Sequence, residues 1–572
     1  MKSAQRNSTG SLRKRYLFMV AFWALLGIGL LARAVDLHIV QHEFLSRQGD
    51  MRNLRVEPLA AHRGVISDRH GRPLAVSTPV ITLWANPREA LESRDSWSRL
   101  NGNKVLDSKA LAQRVLPNSQ REFIYLSRHL APEQAQQVLD QRVPGIYALT
   151  EYRRYYPAAE VTSHVVGFTN IDDIGQEGIE LSFEEVLRGA AGRKRVVRDL
   201  IGRVIQDIEI IEEARPGQDV QLSIDLRLQY LAYRELMSAV SRHNASGGSV
   251  VVLDADTGEI LAMVNQPGYN PNGRASLSPS AMRNRAVTDL FEPGSTLKTI
   301  TLATALEAGM VTPHSMIDTR PGTIRVSGKT IRDHRNYGVM DITAAFGKSS
   351  NVMTTKLALD MQPQQLQNML DRFGFGRATG IPFPGESDGV LPLRARWRDI
   401  EQATLSYGYG ISVTALQLAQ AYAVVANDGV HLPVSLTRVN EPPKGERVIS
   451  AATAGMLVDM LGVVVSDHGT ARQARVNGYQ VGGKTGTVHK IVNGAYADDN
   501  YLSLFVGVAP LDNPRYVTVV VIDDPAGEAY YGGEVAAPVF SRVMEGVLRT
   551  LNVTPDASQG IWAGVTASEG RS

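Results

Sequence analysis

The amino-acid sequence predicts a multidomain α+β protein that begins with one transmembrane helix. The chain has 572 residues, enough for about three or four domains. An uncharged apolar run fills residues 16–32, and strand patterns stand at both ends of residues 222–552 with helical patterns between them. The composition, 43% hydrophobic and 21% charged, is that of a folded protein.

The apolar run, YLFMVAFWALLGIGLLA, has 17 residues, close to the shortest helix that spans a bilayer. Lysines and arginines, but no acidic residue, precede it. The positive-inside rule therefore predicts a basic cytoplasmic tail at residues 1–15, a transmembrane anchor at 16–36 and exported chain beyond. A cleaved signal peptide is the alternative, because Ala32-Arg33-Ala34 resembles a cleavage site. The length of the run favours an uncleaved anchor.

Charge and cysteine content exclude several classes of function. The sequence has 60 Lys and Arg against 58 Asp and Glu, a net charge of +2, which argues against nucleic acid as the main partner. There is no cysteine, so disulfides, thiolate catalysis and cysteine-based metal sites are excluded. No cluster of His, Asp and Glu in the sequence indicates a metal site either.

The exported chain divides into three segments by its patterns. Residues 37–221 are rich in Arg and Glu with few signs of an active site, which predicts a non-catalytic module. Residues 222–552 predict one α+β domain whose sheet takes strands from distant parts of the chain. Residues 553–572 are small and polar, which predicts a disordered tail. The patterns within the α+β domain are a helix at 223–242, a hairpin at 249–264, strands at 501–510 and 515–524, and a helix at 536–551.

The stretch FEPGSTLK, residues 291–298, places a serine and a lysine at the start of a predicted helix. Residues three apart share one helix face, so Ser295 Oγ and Lys298 Nζ can meet. Backbone N–H groups at a helix start favour developing negative charge. The lysine can act as a base only if burial and a neighbouring cation lower its pKa. Alone, this spacing is weak evidence, because an ordinary capped surface helix has the same pattern.

Two further strings give the pair a chemical meaning. Ser349-Ser350-Asn351 follows it, and Lys484-Thr485-Gly486-Thr487 comes later still. In this order the three strings are the active-site elements of the penicillin-recognising serine acyltransferases. The sequence as a whole resembles the class B penicillin-binding proteins, and among them the FtsI-like septal D,D-transpeptidases of the penicillin-binding protein 3 type.

The resemblance extends over nearly the whole chain. The strings at 62–77, 153–168 and 175–192 match the family's non-catalytic elements: HRGVISDRHGRPLAVS, RRYYPAAEVTSHVVGF and GQEGIELSFEEVLRGAAG. They separate class B proteins from β-lactamases and small carboxypeptidases. The implied fold is an elongated α+β dimerisation or pedestal module, followed by a penicillin-binding, β-lactamase-like domain with an antiparallel sheet flanked by helices.

The resemblance also implies roles for the nucleophile and its neighbours. Ser295 would attack the carbonyl of a D-Ala-D-Ala bond and form an acyl-enzyme. Lys298 would accept the serine proton directly or through Ser349. Ser349 would relay a proton to the leaving D-Ala, and Asn351 would bind the substrate amide.

The third string would bind the substrate's terminal carboxylate. Lys484 would keep Lys298 neutral and attract the carboxylate, which the hydroxyls of Thr485 and Thr487 would then bind. The backbone N–H groups of Ser295 and Thr487 would form the oxyanion hole. Gly486 is expected because a side chain there would obstruct a substrate lying along the strand.

Aromatic residues are further candidates for the cleft. Tyr407 and Tyr409, in TLSYGYGISVTALQLAQAYA, either form an aromatic wall or pack structurally. Tyr531 lies in a late loop that is predicted to face them. His334 and His489 are interpreted as ordinary polar loop residues.

The resemblance implies no cofactor and no metal. The expected partners are peptidoglycan precursor stem peptides, β-lactams as covalent inhibitors, an FtsW-like membrane glycosyltransferase and other division proteins. Three alternatives remain: an elongation-type or conditionally used paralogue, a β-lactamase or antibiotic sensor, and an inactive scaffold. Between Asn351 and Lys484 no Asn has a Glu four residues before it, which disfavours a lactamase because the class A enzymes need that glutamate.

Overall fold

The structure, a computed structural model, describes residues 9–43, 54–198, 204–273, 278–394, 396–492 and 494–556. Its strands are β1 (Leu54–Leu59), β2 (Ile66–Ser67), β3 (Pro73–Ala85), β4 (Ile124–Leu130), β5 (Ile146–Tyr155), β6 (Phe168–Thr169), β7 (Gly175–Glu177), β8 (Gly192–Arg198), β9 (Val204–Glu212), β10 (Val220–Gln221), β11 (Gly247–Asp254), β12 (Ile260–Gln266), β13 (Met316–Asp318), β14 (Thr323–Val326), β15 (Lys329–Arg332), β16 (Val339–Asp341), β17 (Val430–His431), β18 (Glu446–Arg447), β19 (Gly482–Val492), β20 (Ala495–Ala509) and β21 (Tyr516–Asp523).

The α-helices are α1 (Thr9–Val35), α2 (Pro87–Glu92), α3 (Ser108–Val115), α4 (Pro132–Leu139), α5 (Ser163–Val166), α6 (Gly178–Ser182), α7 (Glu184–Leu187), α8 (Leu226–Arg242), α9 (Pro279–Met282), α10 (Arg285–Thr288), α11 (Lys298–Glu307), α12 (Ile342–Gly347), α13 (Asn351–Asp360), α14 (Pro363–Arg372), α15 (Asp399–Leu405), α16 (Ala415–Ala426), α17 (Ala451–Val465), α18 (Gly532–Val535) and α19 (Ala537–Thr550). The predicted disordered tail at 553–572 lies outside the described residues from 557 onward.

The N-terminal helix is long and apolar enough to cross a membrane. The continuous helical segment Arg13–Val40 has 28 residues and a mean hydropathy of 2.0, and its apolar window is not buried. Helix α1 begins at Thr9 and so includes part of the predicted basic tail.

The described chain groups into two compact units that interleave along the sequence. One comprises Met1–His62, Pro79–Tyr152 and Gly189–Pro216, and the other comprises Arg63–Thr78, Arg153–Arg188 and Gly217–Ser572. Two segments of the predicted non-catalytic module, Arg63–Thr78 and Arg153–Arg188, are thus grouped with the C-terminal domain.

The first unit contains two small sheets. Strand β3 pairs with both β4 and β5, and helices α2, α3 and α4 contribute to one apolar core beside them. The second sheet has the order β1-β8-β9 and is antiparallel, so β1 pairs with a hairpin that lies far along the chain.

A buried ion-pair network explains the non-catalytic motifs of the second unit. Glu180 accepts from Arg63 Nε and Arg154 Nε, each at 2.6 Å, and all three side chains are almost completely buried. Arg63 also pairs with Glu184 at 2.6 Å. Charges removed from water need such partners. The three motifs therefore meet at one carboxylate, which holds their segments together.

The second unit is built on a five-stranded antiparallel sheet with the order β12-β11-β21-β20-β19. This confirms the predicted hairpin and a sheet assembled from distant strands. Helices α8 and α19 pack against each other and the sheet, and α16 packs against β11 and β21. Every residue of α16 is buried, as expected for a helix that is apolar all round. Strand β19 forms one edge of the sheet and carries the third predicted active-site string.

Candidate active site

Ser295 lies in a tight turn that leads into helix α11. Residues Gly294–Leu297 form a 3₁₀ turn, and the α-helix begins at Lys298. The predicted helix start is thus confirmed, with a tighter first turn. Ser295 is partly exposed, whereas Thr296 and Leu297 are buried. The turn therefore presents the serine hydroxyl and anchors its neighbours in the core.

A second segment supports this turn through direct backbone contact. Gly294 N donates to Gly408 O at 3.2 Å, and Phe291 and Val413 exchange two backbone hydrogen bonds of 2.9 and 3.0 Å. A Cβ on Gly408 would lie 2.1 Å from Gly294 O, and its φ is +90°. Only glycine permits this approach without displacement of the turn.

Lys298 is completely buried and donates to three oxygen atoms. Its Nζ lies 2.5 Å from Ser349 O, 3.2 Å from Ser349 Oγ and 2.7 Å from Asn351 Oδ1. Burial lowers the pKa of Lys298 well below its usual value, the charge of Lys484 lowers it further, and Asp333 opposes these effects. In the part of the chain that the structure describes, Ser295 Oγ and Lys298 Nζ share no hydrogen bond, so the lysine is oriented by the second string.

Lys484, on β19, approaches the same serine. Its Nζ donates to Ser349 Oγ at 2.9 Å and to Thr485 O at 3.3 Å. Burial lowers the pKa of Lys484 to about 7. Ser349 Oγ therefore accepts from two lysines. The backbone of Ser349 has a φ of +59°, which is uncommon for a residue other than glycine. Such backbone strain is found mostly at functional sites.

Asp333 positions the second string and was missed by the sequence analysis. It accepts from Ser350 Oγ at 2.6 Å, from Asn351 N at 2.6 Å and from Val352 N at 3.0 Å. It thereby satisfies backbone donors at the start of α13. Ser350 is also an N-cap for this helix. The aspartate comes from the loop after β15, so no local signal links it to the helix that it caps.

The motif residues open onto one cleft with a volume of about 550 Å³. Ser295, Ser349, Asn351, Thr485 and Thr487 line it. The two buried lysines are not among its lining residues, and they reach the cleft through Ser349.

The threonines and the glycine of β19 are held by other segments. Thr485 Oγ1 lies 3.1 Å from Thr470 Oγ1, and Thr487 Oγ1 accepts from Gly532 N at 3.0 Å. A Cβ on Gly486 would lie 3.1 Å from Leu504 and 3.2 Å from Pro293 O. The space at Gly486 is therefore limited by the protein itself, in addition to any substrate along the strand.

Aromatic rings surround the cleft in two groups. Tyr407 and Tyr409, with ring centroids 5.6 Å apart, both line it. Tyr531 stacks on Tyr530 at 4.4 Å and also lines it. Burial raises the pKa of Tyr407 to about 12. The hydrogen bond with Tyr530 raises the pKa of Tyr531 to about 12. These tyrosines therefore remain neutral at physiological pH.

The two histidines line the cleft. His334 lies in a loop, as interpreted from the sequence, whereas His489 does not. His334 packs edge-on against Tyr531 at 5.9 Å, and His489, which lies within β19 and not in a loop, packs against Tyr501 at 4.6 Å. Their positions follow from strand pairing and loop packing, which no local sequence signal indicates.

Comparison with known proteins agrees with this geometry. The profile of the penicillin-binding protein transpeptidase domain matches residues 248–545, and that of the penicillin-binding protein dimerisation domain matches residues 58–222. The chain belongs to the penicillin-binding protein transpeptidase family. The buried lysines and the lining serines and threonines all lie within the region matched by the transpeptidase profile of this family.

Family members with known names align over most of the chain. The peptidoglycan D,D-transpeptidase FtsI of Escherichia coli K12 is 43% identical over 533 residues, covering 92% of this chain and 90% of that protein. The probable peptidoglycan D,D-transpeptidase PbpC of Pseudomonas aeruginosa is 41% identical, covering 98% of both chains. The crystal structure of penicillin-binding protein 3 from Mycobacterium tuberculosis with aztreonam is 30% identical, covers 88% of this chain and 98% of that one, and has a TM-score of 0.68.

Substitution of Gly408 tests the backbone contact with Gly294 that supports the turn carrying Ser295. Gly408→Ala adds a Cβ that collides with Gly294 O. We expect acylation by a fluorescent penicillin to fall about 100-fold, because a shift of about 1 Å at a reacting group costs that much. Gly410→Ala is the matched control: Gly410 has a φ of +79°, but its Cβ would meet nothing within 4 Å. Equal losses in the two variants would show that backbone strain, and not the collision, matters.

Proposed function

We propose that this protein is a serine D,D-transpeptidase that cross-links peptidoglycan stem peptides through an acyl-enzyme on Ser295. The observation that carries the proposal is the buried lysine pair, Lys298 and Lys484, joined through Ser349 beside a partly exposed serine on a tight turn. A lysine whose pKa is lowered by burial and a nearby cation is a base near neutral pH. The family's named members, peptidoglycan D,D-transpeptidases, support the same activity.

In the proposed first step, Ser295 Oγ attacks the carbonyl carbon of the D-Ala-D-Ala bond. Neutral Lys298 takes the serine proton, directly or through Ser349. The backbone N–H groups of Ser295 and Thr487 stabilise the oxyanion. The C–N bond then breaks, Ser349 passes a proton to the leaving D-Ala, and an ester on Ser295 remains.

The other residues of the cleft hold the substrate for this step. Asn351 binds the substrate amide, and the hydroxyls of Thr485 and Thr487 donate hydrogen bonds to the substrate's terminal carboxylate next to Lys484. Tyr407, Tyr409 and Tyr531 form aromatic surfaces against the peptide. In the second step an amine attacks the ester, and the absence of the class A glutamate pattern from the sequence favours this transfer over hydrolysis.

Covalent labelling tests the nucleophile. Membranes that contain the wild-type protein should give one band with a fluorescent penicillin, and Ser295→Ala should abolish it, because no other group would attack the lactam carbonyl. Ser280→Ala, an exposed serine outside the cleft, is the control and should label like wild type. Equal labelling of wild type and Ser295→Ala would refute the proposal.

The pH dependence of acylation tests the base. Protonated Lys298 cannot accept the serine proton, so the acylation rate should rise with pH through its lowered pKa. The rate should fall again as Lys484, whose pKa is about 7, loses the charge that attracts the substrate carboxylate. Lys484→Met keeps the bulk and removes the cation, so Lys298 should bind its proton more tightly and the rising limb should move to higher pH. If the rising part of the pH–rate profile does not move in Lys484→Met, the charge of Lys484 does not lower the pKa of Lys298 as assigned.

We also infer where the enzyme acts. Basic residues before α1 and the length of the apolar segment support a single-pass anchor in the bacterial inner membrane, with the N-terminus in the cytoplasm and the catalytic domain in the periplasm. The resemblance to proteins named FtsI supports septum formation as its task, beside an FtsW-like glycosyltransferase and other division proteins.

Depletion of the protein in its own host tests the septal role. We expect filamentous cells, because growth continues while septa fail to close. Rounded cells would indicate a role in elongation instead, and unchanged cells would indicate a redundant paralogue. Complementation with wild type and with Ser295→Ala separates loss of cross-linking from loss of the protein as a scaffold.

A further inference from the structure

The segment that leads into the Ser295 turn carries a buried carboxylate, which has no cationic partner among the described residues. Glu292 precedes Ser295 by three residues and is 8% exposed. Its Oε1 accepts from Gly410 N at 2.7 Å, and Tyr496 Oη lies 3.1 and 3.0 Å from its two oxygens. No basic side chain in the described part of the chain lies within ion-pair distance of it. Buried carboxylates are normally paired, so this site lacks a positive charge.

Three tyrosine rings gather around this carboxylate. Tyr407 and Tyr409 pack edge-to-face with centroids 5.6 Å apart, and Tyr409 and Tyr496 do so at 5.9 Å. Burial raises the pKa of Tyr409 and Tyr496, and the charge of Glu292 raises both further. The charge of Glu292 thus acts on the phenols of both Tyr409 and Tyr496. Both phenols stay neutral at physiological pH. We call Glu292, Tyr407, Tyr409 and Tyr496 the acidic aromatic cluster.

The acidic aromatic cluster has the chemistry of an ammonium site. Aromatic faces attract cations through their quadrupole, and cages of such rings bind substituted ammonium groups. A carboxylate provides about four lone-pair sites, and Gly410 N and Tyr496 Oη use only part of that capacity. An anion would be repelled by Glu292, and a neutral group would leave its charge uncompensated. Tyr407 and Tyr409 line the same cleft as Ser295, whereas Glu292 and Tyr496 are not among its lining residues. A ligand that enters from the cleft would therefore meet these two rings, beside Ser295, before it reaches the carboxylate.

We propose that the acidic aromatic cluster binds an aliphatic ammonium group of a peptidoglycan stem peptide. The proposal rests on the transpeptidase activity proposed above and adds to it the substrate feature recognised beside Ser295. Two sources present this group. One is a free side-chain amine on the donor peptide, which stays charged throughout acylation. The other is the amine of the acceptor peptide, which must lose a proton before its nitrogen forms the amide bond and the Ser295 ester bond breaks.

Paired donors distinguish recognition of the ammonium from general positioning. The full-length, detergent-solubilised protein is acylated with a stem-peptide thioester that carries a free side-chain amine, and with the same thioester N-acetylated at that amine. We expect wild type to prefer the free amine about tenfold, since a charge-assisted contact and cation–π attraction are lost on acetylation. Glu292→Gln should reduce this ratio to about one. The rate of acylation by benzylpenicillin, which has no amine, should differ less than about threefold between Glu292→Gln and wild type.

A second arm tests the acceptor as the source. The acyl-enzyme is trapped with an amine acceptor, and aminolysis is compared with hydrolysis. The donor ratio is the acylation rate with the free-amine thioester divided by the rate with the acetylated one. If Glu292→Gln leaves this ratio unchanged but reduces aminolysis about tenfold, the cluster binds the acceptor amine. Tyr496→Leu removes a ring of the cluster and should act in the same direction as Glu292→Gln. Tyr230→Phe and Glu185→Gln, at exposed positions away from the cleft, are the controls and should match wild type.

Two results would overturn the proposal. One is a donor ratio and an aminolysis fraction that are both unchanged in Glu292→Gln. The other is an equal loss with both thioesters and benzylpenicillin, which would mean that Glu292 only positions Gly410 and the nucleophile turn. Failure of the transpeptidase proposal looks different, because wild type would then form no acyl-enzyme with any of the three reagents.

Discussion

The site depends on a buried lysine, Lys298, that forms no ion pair with a carboxylate among the residues that the structure describes. Lys298 cannot keep a full charge there at low cost, because burial penalises the ammonium form. Its Nζ donates to oxygens of Ser349 and Asn351, and the charge of Asp333, with which it forms no ion pair, also favours its ammonium form. Three oxygens can converge on one nitrogen only if the turn that carries them has one conformation. The strained φ of Ser349 and the contacts of Asp333 with the start of α13 follow from this requirement.

Ser295, the proposed nucleophile, is fixed by a different kind of constraint. Its turn is held by backbone contact with the segment around Gly408 and by the buried phenol of Tyr422, which donates to Thr296 O at 2.8 Å. Backbone contacts of this kind leave little freedom, because protein interiors are close-packed and transmit small shifts. Ser295 is therefore positioned by close packing of the backbone, and Lys298 is positioned by the hydrogen bonds of its Nζ. Ser295 lines the cleft, whereas Lys298 reaches it only through Ser349, and the two side chains share no direct hydrogen bond in this structure.

The sequence predicted the parts of this arrangement that local patterns encode. Spacing placed Ser295 and Lys298 on one helix face, and two β-rich runs joined across Asp-Ala-Asp-Thr-Gly located the hairpin of β11 and β12, because both patterns depend on residues close in the chain. Asp333, Tyr496 and the pairing of β1 with β8 were missed, since each acts on a residue or strand far along the chain. His489 was misjudged for the same reason: its place beside Tyr501 arises from the pairing of β19 with β20.

The charges around Ser295 form two groups attached to different segments. Lys298 and Lys484 both donate to Ser349 Oγ, so their charges repel, and the two groups titrate as a coupled pair. The two lysines together therefore carry less than two positive charges near neutral pH. Neutral Lys298 can then act as the base while Lys484 supplies the positive potential. Glu292, on the segment before Ser295, contributes the opposite sign. A peptide with a carboxylate and an ammonium group is then oriented by both before any covalent bond forms, because fields in a low-dielectric cleft are weakly screened.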